Sequence, residues 1–338
     1  MKKFAQPIRV VSLFSGCGGG DLGMLGNFEF LGKRYDSLGY EIVWANDVLP
    51  FAVETYKNNI GDHIVLGDIT KIKSKEIPEH DVLIGGFPCQ SFSIVGKRGG
   101  FNDPRGKLYK EMLRILKDKK PKAFIGENVK GLVSIHNGEA IKQIVKDFTK
   151  AGYDVTFQVL NASLFGVPQK RERVLIVGIR NDISKTFVFP EAPNTVVPLK
   201  KVMQKHTSVG DKYYFSQRAL EGMRRANKAF NKGRAQDING PCNTVSTHLA
   251  KVSLNGTDPV LLVKPDCYRR LTPLEAARIQ SFPENFEFYG SDANKYIQIG
   301  NAIPPVMMWY VAEALKKQLF SVGAVSPQPS FNIKLVNA

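Results

Sequence analysis

Short apolar runs alternate with helix-period stretches over the first half of the chain, and this alternation predicts a doubly wound α/β fold with a mostly parallel sheet. Residues 9–14, 40–45, 64–66, 81–84 and 123–126 are apolar runs bounded by Gly, Asp, Asn or Pro. They are too short for helices and read as buried strands. Between them, residues 51–57, 107–117 and 139–150 read as helices. In the second of these, Leu108, Met112, Ile115 and Leu116 fall on one helical face. Residues 153–160 and 173–179 predict two further strands.

The pattern changes near residue 184. Pro190, Pro193 and Pro198 interrupt the chain, and no strand–helix alternation continues. A second, smaller, irregular and β-rich domain is expected over about 184–295, with residues 216–230 as a helix carrying a basic face. Thr272-Pro273-Leu274-Glu275 is a capping box with Pro at the first helical position, opening a helix over 274–281. The apolar helix expected over 306–319 returns to the first domain. That domain is therefore discontinuous, 1–183 plus about 296–338. Residues 321–338, with Pro327 and Pro329, are expected to wrap the surface or stay loosely ordered.

Charge adds a partner to this picture. The net charge is +16, and residues 185–270 carry 15 Lys and Arg against 6 Asp and Glu. A basic surface of this kind favours nucleic acid, although a solvated basic surface is the plainer reading. The four cysteines Cys17, Cys89, Cys242 and Cys267 form no CxxC, which argues against a zinc site and against a disulfide framework. No apolar run approaches membrane-spanning length, and Met1-Lys2-Lys3-Phe4 lacks a signal-peptide pattern. A cytoplasmic protein without a metal is expected.

Candidate chemistry clusters where the strands end. Phe14-Ser15-Gly16-Cys17-Gly18-Gly19-Gly20 follows the first strand, and Gly18-x-Gly20-x-x-Gly23 formally matches a dinucleotide fingerprint, a weak signal alone. Asp47 ends the second strand, where a carboxylate accepts from ribose hydroxyls or caps the following helix. Asp68-Ile69 follows the third strand, where Asp68 suits an exocyclic amine with Ile69 packing on its base, or an ordinary turn. The fourth ends in Gly86-Phe87-Pro88-Cys89-Gln90-Ser91, a stiffened turn presenting a thiol. Glu127 lies on the same rim after the fifth. Arg171 and Arg173 share a face if that stretch is extended, and suit a phosphate, carbonyl or carboxylate.

Taken in order, Phe14-Ser15-Gly16-Cys17-Gly18-Gly19, Pro88-Cys89-Gln90, Glu127-Asn128-Val129, Gln169-Lys170-Arg171-Glu172-Arg173, Arg270-Leu271-Thr272-Pro273 and Gln298-Ile299-Gly300-Asn301-Ala302 resemble the motifs of the DNA (cytosine-5) methyltransferases. The resemblance spans nearly the whole chain except about 184–266, the family's variable target-recognition region. It implies an S-adenosylmethionine-binding large domain, a small recognition domain and a DNA cleft between them. It also implies that Phe14, Gly16, Gly18, Asp47, Asp68, Ile69, Pro88, Leu108 and Asn301 bind the cofactor. Cys89 would be the nucleophile, Glu127 would bind the ring N3 and exocyclic amine, Arg171 the cytosine O2, and Arg173 would position the adduct. Gln90, Ser91, Lys97, Arg98, Arg105, Thr244 and Arg269 would meet double-stranded DNA. Val95 stands where the family often has a small polar residue.

The implied activity is methyl transfer to C5 of a flipped-out cytosine in a short DNA sequence, by a bacterial or phage modification enzyme. A monomer is expected, with a separate cognate restriction endonuclease as an optional partner. Three rivals stand beside it. A nicotinamide oxidoreductase leaves Cys89, Glu127 and the arginines without a task. An RNA cytosine-5 methyltransferase of related build and a catalytically silent DNA-binding relative complete the set.

Overall fold

The structure is a computed structural model, and it describes residues 6–88, 108–225, 235–251, 258–265 and 267–320. In chain order the first half runs β1 (Ile8–Leu13), α1 (Gly19–Leu25), β2 (Phe28–Phe30), β3 (Lys33–Tyr35), β4 (Tyr40–Asp47), α2 (Pro50–Asn59), β5 (Ile64–Leu66), β6 (Val82–Gly85), α3 (Tyr109–Lys119), β7 (Ala123–Val129), α4 (Gly131–Ser134) and α5 (Glu139–Lys150). There follow β8 (Tyr153–Asn161), β9 (Gln169–Lys170), β10 (Glu172–Arg180), α6 (Gln217–Arg225), β11 (Cys242–Asn243), β12 (Val260–Lys264), β13 (Cys267–Arg270), α7 (Pro273–Ile279), α8 (Asp292–Asn301) and α9 (Pro305–Leu315).

One sheet dominates, with strand order β5-β4-β1-β6-β7-β10-β8. The pairs β5/β4, β4/β1, β1/β6 and β6/β7 are parallel. β10 runs antiparallel between β7 and β8. Successive side chains point to opposite faces. Val10, Ile42, Ile84, Ile125 and Val177 therefore join one core layer, and Val11, Trp44, Leu83, Phe124 and Ile176 the other. Met24 of α1 and Met307, Met308 and Val311 of α9 cover the first face, whereas Met112 and Ile115 of α3 and Ile144 and Phe148 of α5 cover the second. Burial on both faces is why these strands read as continuous apolar runs.

α9 seats against α1 through a glycine. A Cβ on Gly23 would stand 2.6 Å from both Met308 Cβ and the Pro305 carbonyl, so the helices touch nearly backbone to backbone. Tyr40 of β4 donates to the Ala312 carbonyl at 3.0 Å. A second close approach joins α8 to residues 242–247. A Cβ on Gly300 would lie 2.5 Å from the Ser246 carbonyl carbon and the Thr247 nitrogen.

Three elements differ from expectation. The β2–β3 hairpin has strands of only three residues, too short for an alternating pattern to register. α8 carries Gln298-Ile299-Gly300-Asn301 on its last turn, and its buried Gln298 and Gly300 hide the helical period. α9 ends at Leu315, and residues 316–320 widen into a π turn, so the long helix stops earlier than its apolar pattern suggests. Among the described residues no helix is long and apolar enough to cross a membrane.

Gly23→Ala is expected to destabilise the fold by about 1–3 kcal/mol, the scale of overpacking a filled core. The urea midpoint measures it, and an unchanged midpoint would mean that α1 and α9 part without cost.

Candidate active site

The carboxyl ends of β1, β4, β5, β6 and β7 form one rim. The strand order turns back at β1, which has β4 on one side and β6 on the other. That is where open α/β sheets bind ligands. Past β1, Phe14 takes a left-handed φ of 54° while half-buried, a strained conformation for an aromatic residue. Gly16 follows at φ 56° with open space where a Cβ would sit. Gly18, at φ 91°, rests on Tyr56, whose ring carbon would lie 3.1 Å from an added Cβ.

Asp47 fastens this turn. Its Oδ2 accepts from Gly16 N at 2.8 Å and its Oδ1 from Leu49 N at 2.9 Å. Leu49, not Asp47, is the N-cap of α2. A carboxylate offers about four acceptor sites, so roughly two remain for ligand hydroxyls. Burial pushes its pKa up, and the amides of Leu49 and Gly16 pull it back. Val48 and Leu66 stand beside it, 58% and 51% exposed, an apolar wall that the sequence reading passed over because isolated apolar residues carry no period.

Asp68 is exposed, and its carboxylate accepts from Thr70 N at 3.0 Å and Thr70 Oγ1 at 2.8 Å. These bonds hold its pKa below the usual value. Ile69 departs from expectation: its side chain is 1% exposed within the core, so it is no free wall for a base. Arg114 of α3 pins the same turn by donating to the Ile69 and Ile72 carbonyls at 3.2 and 3.0 Å.

Pro88 and Leu108 are the described residues that flank the thiol-bearing segment. Cys89, Gln90, Ser91, Lys97, Arg98 and Arg105 lie outside the described residues. The approach to Cys89 is nonetheless anchored. Asn128 Nδ2 donates to the Phe87 carbonyl at 2.8 Å. Glu127 Oε2 would lie 3.3 Å from a Cβ on Gly86, so the carboxyl sits directly over this turn. Of the described cysteines, Cys17 and Cys242 are buried, and burial pushes each thiol up to about 12. Neither is suited to be a thiolate at neutral pH.

Glu127 meets Arg173 across the β7–β10 ladder. Glu127 pairs directly with Leu175, and Arg173, two residues away on the same face, reaches back diagonally. Arg173 Nε lies 3.1 Å from Glu127 Oε1, and both side chains are nearly buried. Burial raises the Glu127 pKa, while Arg173 and Arg171 draw it down. The carboxyl is therefore placed to hold or release a proton nearer neutrality than an exposed glutamate.

Arg171 is the larger departure. It is 2% exposed, and its terminal nitrogens donate to the Gly300, Ala302 and Val245 carbonyls at 2.9, 3.1 and 3.4 Å. Arg171 is first a tie between segments: three of its five N–H groups are used there, and its Nε–H is buried without a partner among the described residues. Arg269 is fully buried in a two-bond pair with Glu275, at 2.7 Å for each bond, and cannot reach DNA from there. Sequence reasoning took it for a surface cation because its partner lies six residues on, hidden inside the capping box. Thr244 is exposed, its Oγ1 donating to the Lys170 carbonyl at 2.7 Å, and Asn301 is exposed at the end of α8.

Below the glycine turn, Asp21 is buried and accepts from Ser12 Oγ and Tyr56 Oη, each at 3.0 Å. Tyr56 Oη also lies 3.1 Å from His63 Nε2. Only the position of Asp21 in the glycine run hinted at it. Among the described residues no His, Cys, Asp and Glu cluster is arranged to hold a metal ion.

A glycine turn with a buried carboxylate behind it, and a carboxyl–guanidinium pair two strands away, define a class: a doubly wound α/β protein whose chemistry-bearing residues gather on one rim of the sheet. The C-5 cytosine-specific DNA methylase family model matches residues 8–317. The type II methyltransferase M.NgoFVII of Neisseria gonorrhoeae is 38% identical, spanning 88% of this chain and 83% of its own length. M.FnuDI of Fusobacterium nucleatum is 36% identical, spanning 92% and 95%. The solved structure of the Schizosaccharomyces pombe Dnmt2 methyltransferase superposes with a TM-score of 0.71 at 20% identity, covering 93% of this chain and 100% of its own. Entamoeba histolytica EhMeth gives 0.72 at 18%, covering 93% and 99%; at such identities these two speak for the fold alone. The chain belongs to the C-5 cytosine-specific DNA methylase family and is a DNA (cytosine-5) methyltransferase.

Burial raises the Asp21 carboxyl from 3.8 to about 6, so the folded state favours its protonated form. Its contribution to stability is full below the unfolded pKa and is lost as pH rises through about 6. Asp21→Asn is expected to flatten the dependence of melting temperature on pH between about 4 and 6. Parallel curves for the two proteins would rule this out.

Proposed function

We propose that this enzyme transfers a methyl group from S-adenosylmethionine to C5 of a cytosine flipped out of duplex DNA. The observation that carries the reading is the Glu127–Arg173 pair, 3.1 Å apart over the Gly86 turn and on the same rim as the glycine turn. The cofactor site fits. Gly16 leaves open space, Phe14 is a partly buried aromatic beside it, and Asp47 keeps acceptor capacity for ribose hydroxyls after fastening Gly16 and Leu49. Gly18, Asp68, the Ile69 main chain, Pro88, Leu108 and Asn301 complete it. When bound, S-adenosylmethionine supplies an electrophilic methyl group.

The protein's task is to make C5 a nucleophile. The Cys89 thiolate adds to C6, and the electron pair of the 5,6 double bond moves onto C5 and toward N3. Glu127, with its raised pKa, donates a hydrogen bond or proton at N3 and so stabilises that charge. Arg173 orients Glu127, and the unpartnered Nε–H of Arg171 is what Arg171 can still offer the cytosine O2. After C5 is methylated, loss of its proton and elimination of the thiolate restore the aromatic ring and Cys89.

The target must leave the helix, which costs a few kcal/mol of unstacking. Basic and polar residues, with Gln90, Ser91, Lys97, Arg98, Arg105 and Thr244 as candidates, offset that cost on the DNA. We read the enzyme as a cytoplasmic monomer with a recognition region over about 184–295. A restriction endonuclease of the same specificity would act separately.

Expression in a host lacking cytosine methylation, followed by bisulfite sequencing, is expected to reveal 5-methylcytosine in one short context. Cys89→Ala should abolish it while DNA binding persists, and DNA with 5-fluorocytosine at the target should trap a denaturant-resistant complex. Glu127→Gln should lower kcat by about 10²–10⁴. Full turnover by Cys89→Ala would overturn the mechanism.

A further inference from the structure

Three buried side chains hold together the segments that carry the proposed cofactor, DNA and proton-handling residues. Gln169 and Gln280 are both fully buried. Gln280 Nε2 donates to the Ile299 and Ala302 carbonyls at 2.7 and 3.0 Å, on either side of Asn301. Its Oε1 accepts from Gln169 Nε2 at 2.6 Å. Gln169 Oε1 accepts from Val245 N at 2.8 Å, next to Thr244. Arg171, two residues on, engages the Gly300, Ala302 and Val245 carbonyls. Arg173, two residues further, pairs with Glu127.

The chain of amides has a direction. Both Gln280 protons go to the carbonyls at the end of α8, so its oxygen must face Gln169. Gln169 must then turn its own oxygen to Val245 N. Each amide is fixed by the next, and no other neutral side chain of this length supplies the same two donors and one acceptor. Buried polar groups of this kind are costly when unpartnered and rigid when fully satisfied. The helix end bearing Asn301, the segment bearing Thr244 and the strand bearing Arg173 thus share one anchor.

We propose that the Gln169–Gln280 amide pair is a positioning device for methyl transfer, setting the DNA-side segment at 242–246 and Asn301 in register with the Arg173–Glu127 pair. This rests on the proposed reaction. Neither glutamine touches substrate; each acts through Val245, Ala302 and Arg171. The pair therefore matters for the geometry of the assembled site, and little for binding either ligand alone.

The test is a double-mutant cycle on the full chain with Gln169→Met, Gln280→Met and both together, volume-conserving changes that remove the amides. Each single variant is expected to lower kcat about 10- to 100-fold, the scale of a misplaced reacting group. The KM for DNA and for S-adenosylmethionine should stay within about threefold. The double variant should be no worse than the poorer single one, because one device is broken once. Unchanged kcat, a loss carried by KM, or additive losses would overturn the proposal. If Gln280→Met does not fold, Gln280→Glu replaces it. Its carboxyl can donate only when protonated, so its activity relative to wild type should rise as pH falls from 8 to 6. A flat ratio would overturn the proposal. Wild-type protein that leaves cytosine unmethylated would instead refute the reaction itself, a result the variants cannot mimic.

Discussion

A guanidinium placed across a strand ladder from a buried carboxyl is the interaction on which the site depends. Glu127 alone, with this burial, would be an isolated carboxyl in a poorly solvated place. Arg173 makes that position tolerable without fully cancelling the upward pull of burial on its pKa. The insertion of β10 between β7 and β8 is what brings the two together. Were β8 beside β7 instead, Arg173 would lie a strand further off and Glu127 would lose its partner. A topological irregularity in an otherwise parallel sheet is thus a requirement of the chemistry proposed for its rim.

The second constraint is the burial of the helix ends. The last turn of α8 leaves main-chain carbonyls without helical partners. Here they are buried, and Arg171, Gln280 and their neighbours satisfy them. The start of α7 leaves N–H donors instead, and there Glu275 Oε2 accepts from Thr272 N and Thr272 Oγ1 from Glu275 N, while Arg269 holds the Glu275 carboxylate. These charged and amide groups would be expensive singly. Together they form a polar seam in which every segment has a defined neighbour, and the close approach of Gly300 to Ser246 shows how little slack the seam has.

Much of the site was legible in the chain because strand ends announce themselves. An apolar run followed by Gly, Asp or Pro-Cys marks a strand and its end, and Gly16, Asp47, Pro88 and Glu127 were all placed on the rim in this way. The arginines were harder. Period-two spacing put Arg171 and Arg173 on one face, but it could not say that one would be absorbed by carbonyls 129 and 131 residues away. Arg269 failed for the same reason, since a basic residue in a basic region looks exposed until its partner is seen. Gln169 and Gln280 were invisible as a pair, because a buried glutamine has no periodicity and its partner is 111 residues distant.

The sequence by itself determined most of the large domain's strands and helices, their order and the residue types on the rim. Those follow from local rules: burial periodicity, glycine at positive φ, proline at a strand end, and a capping box. The tertiary structure alone decided which charges are interior ties and which remain available, because desolvation and pairing arise from neighbours far along the chain. It also decided where β10 enters the sheet, and hence that Glu127 meets Arg173, since the pairing of a strand is set by what both of its edges can hydrogen-bond.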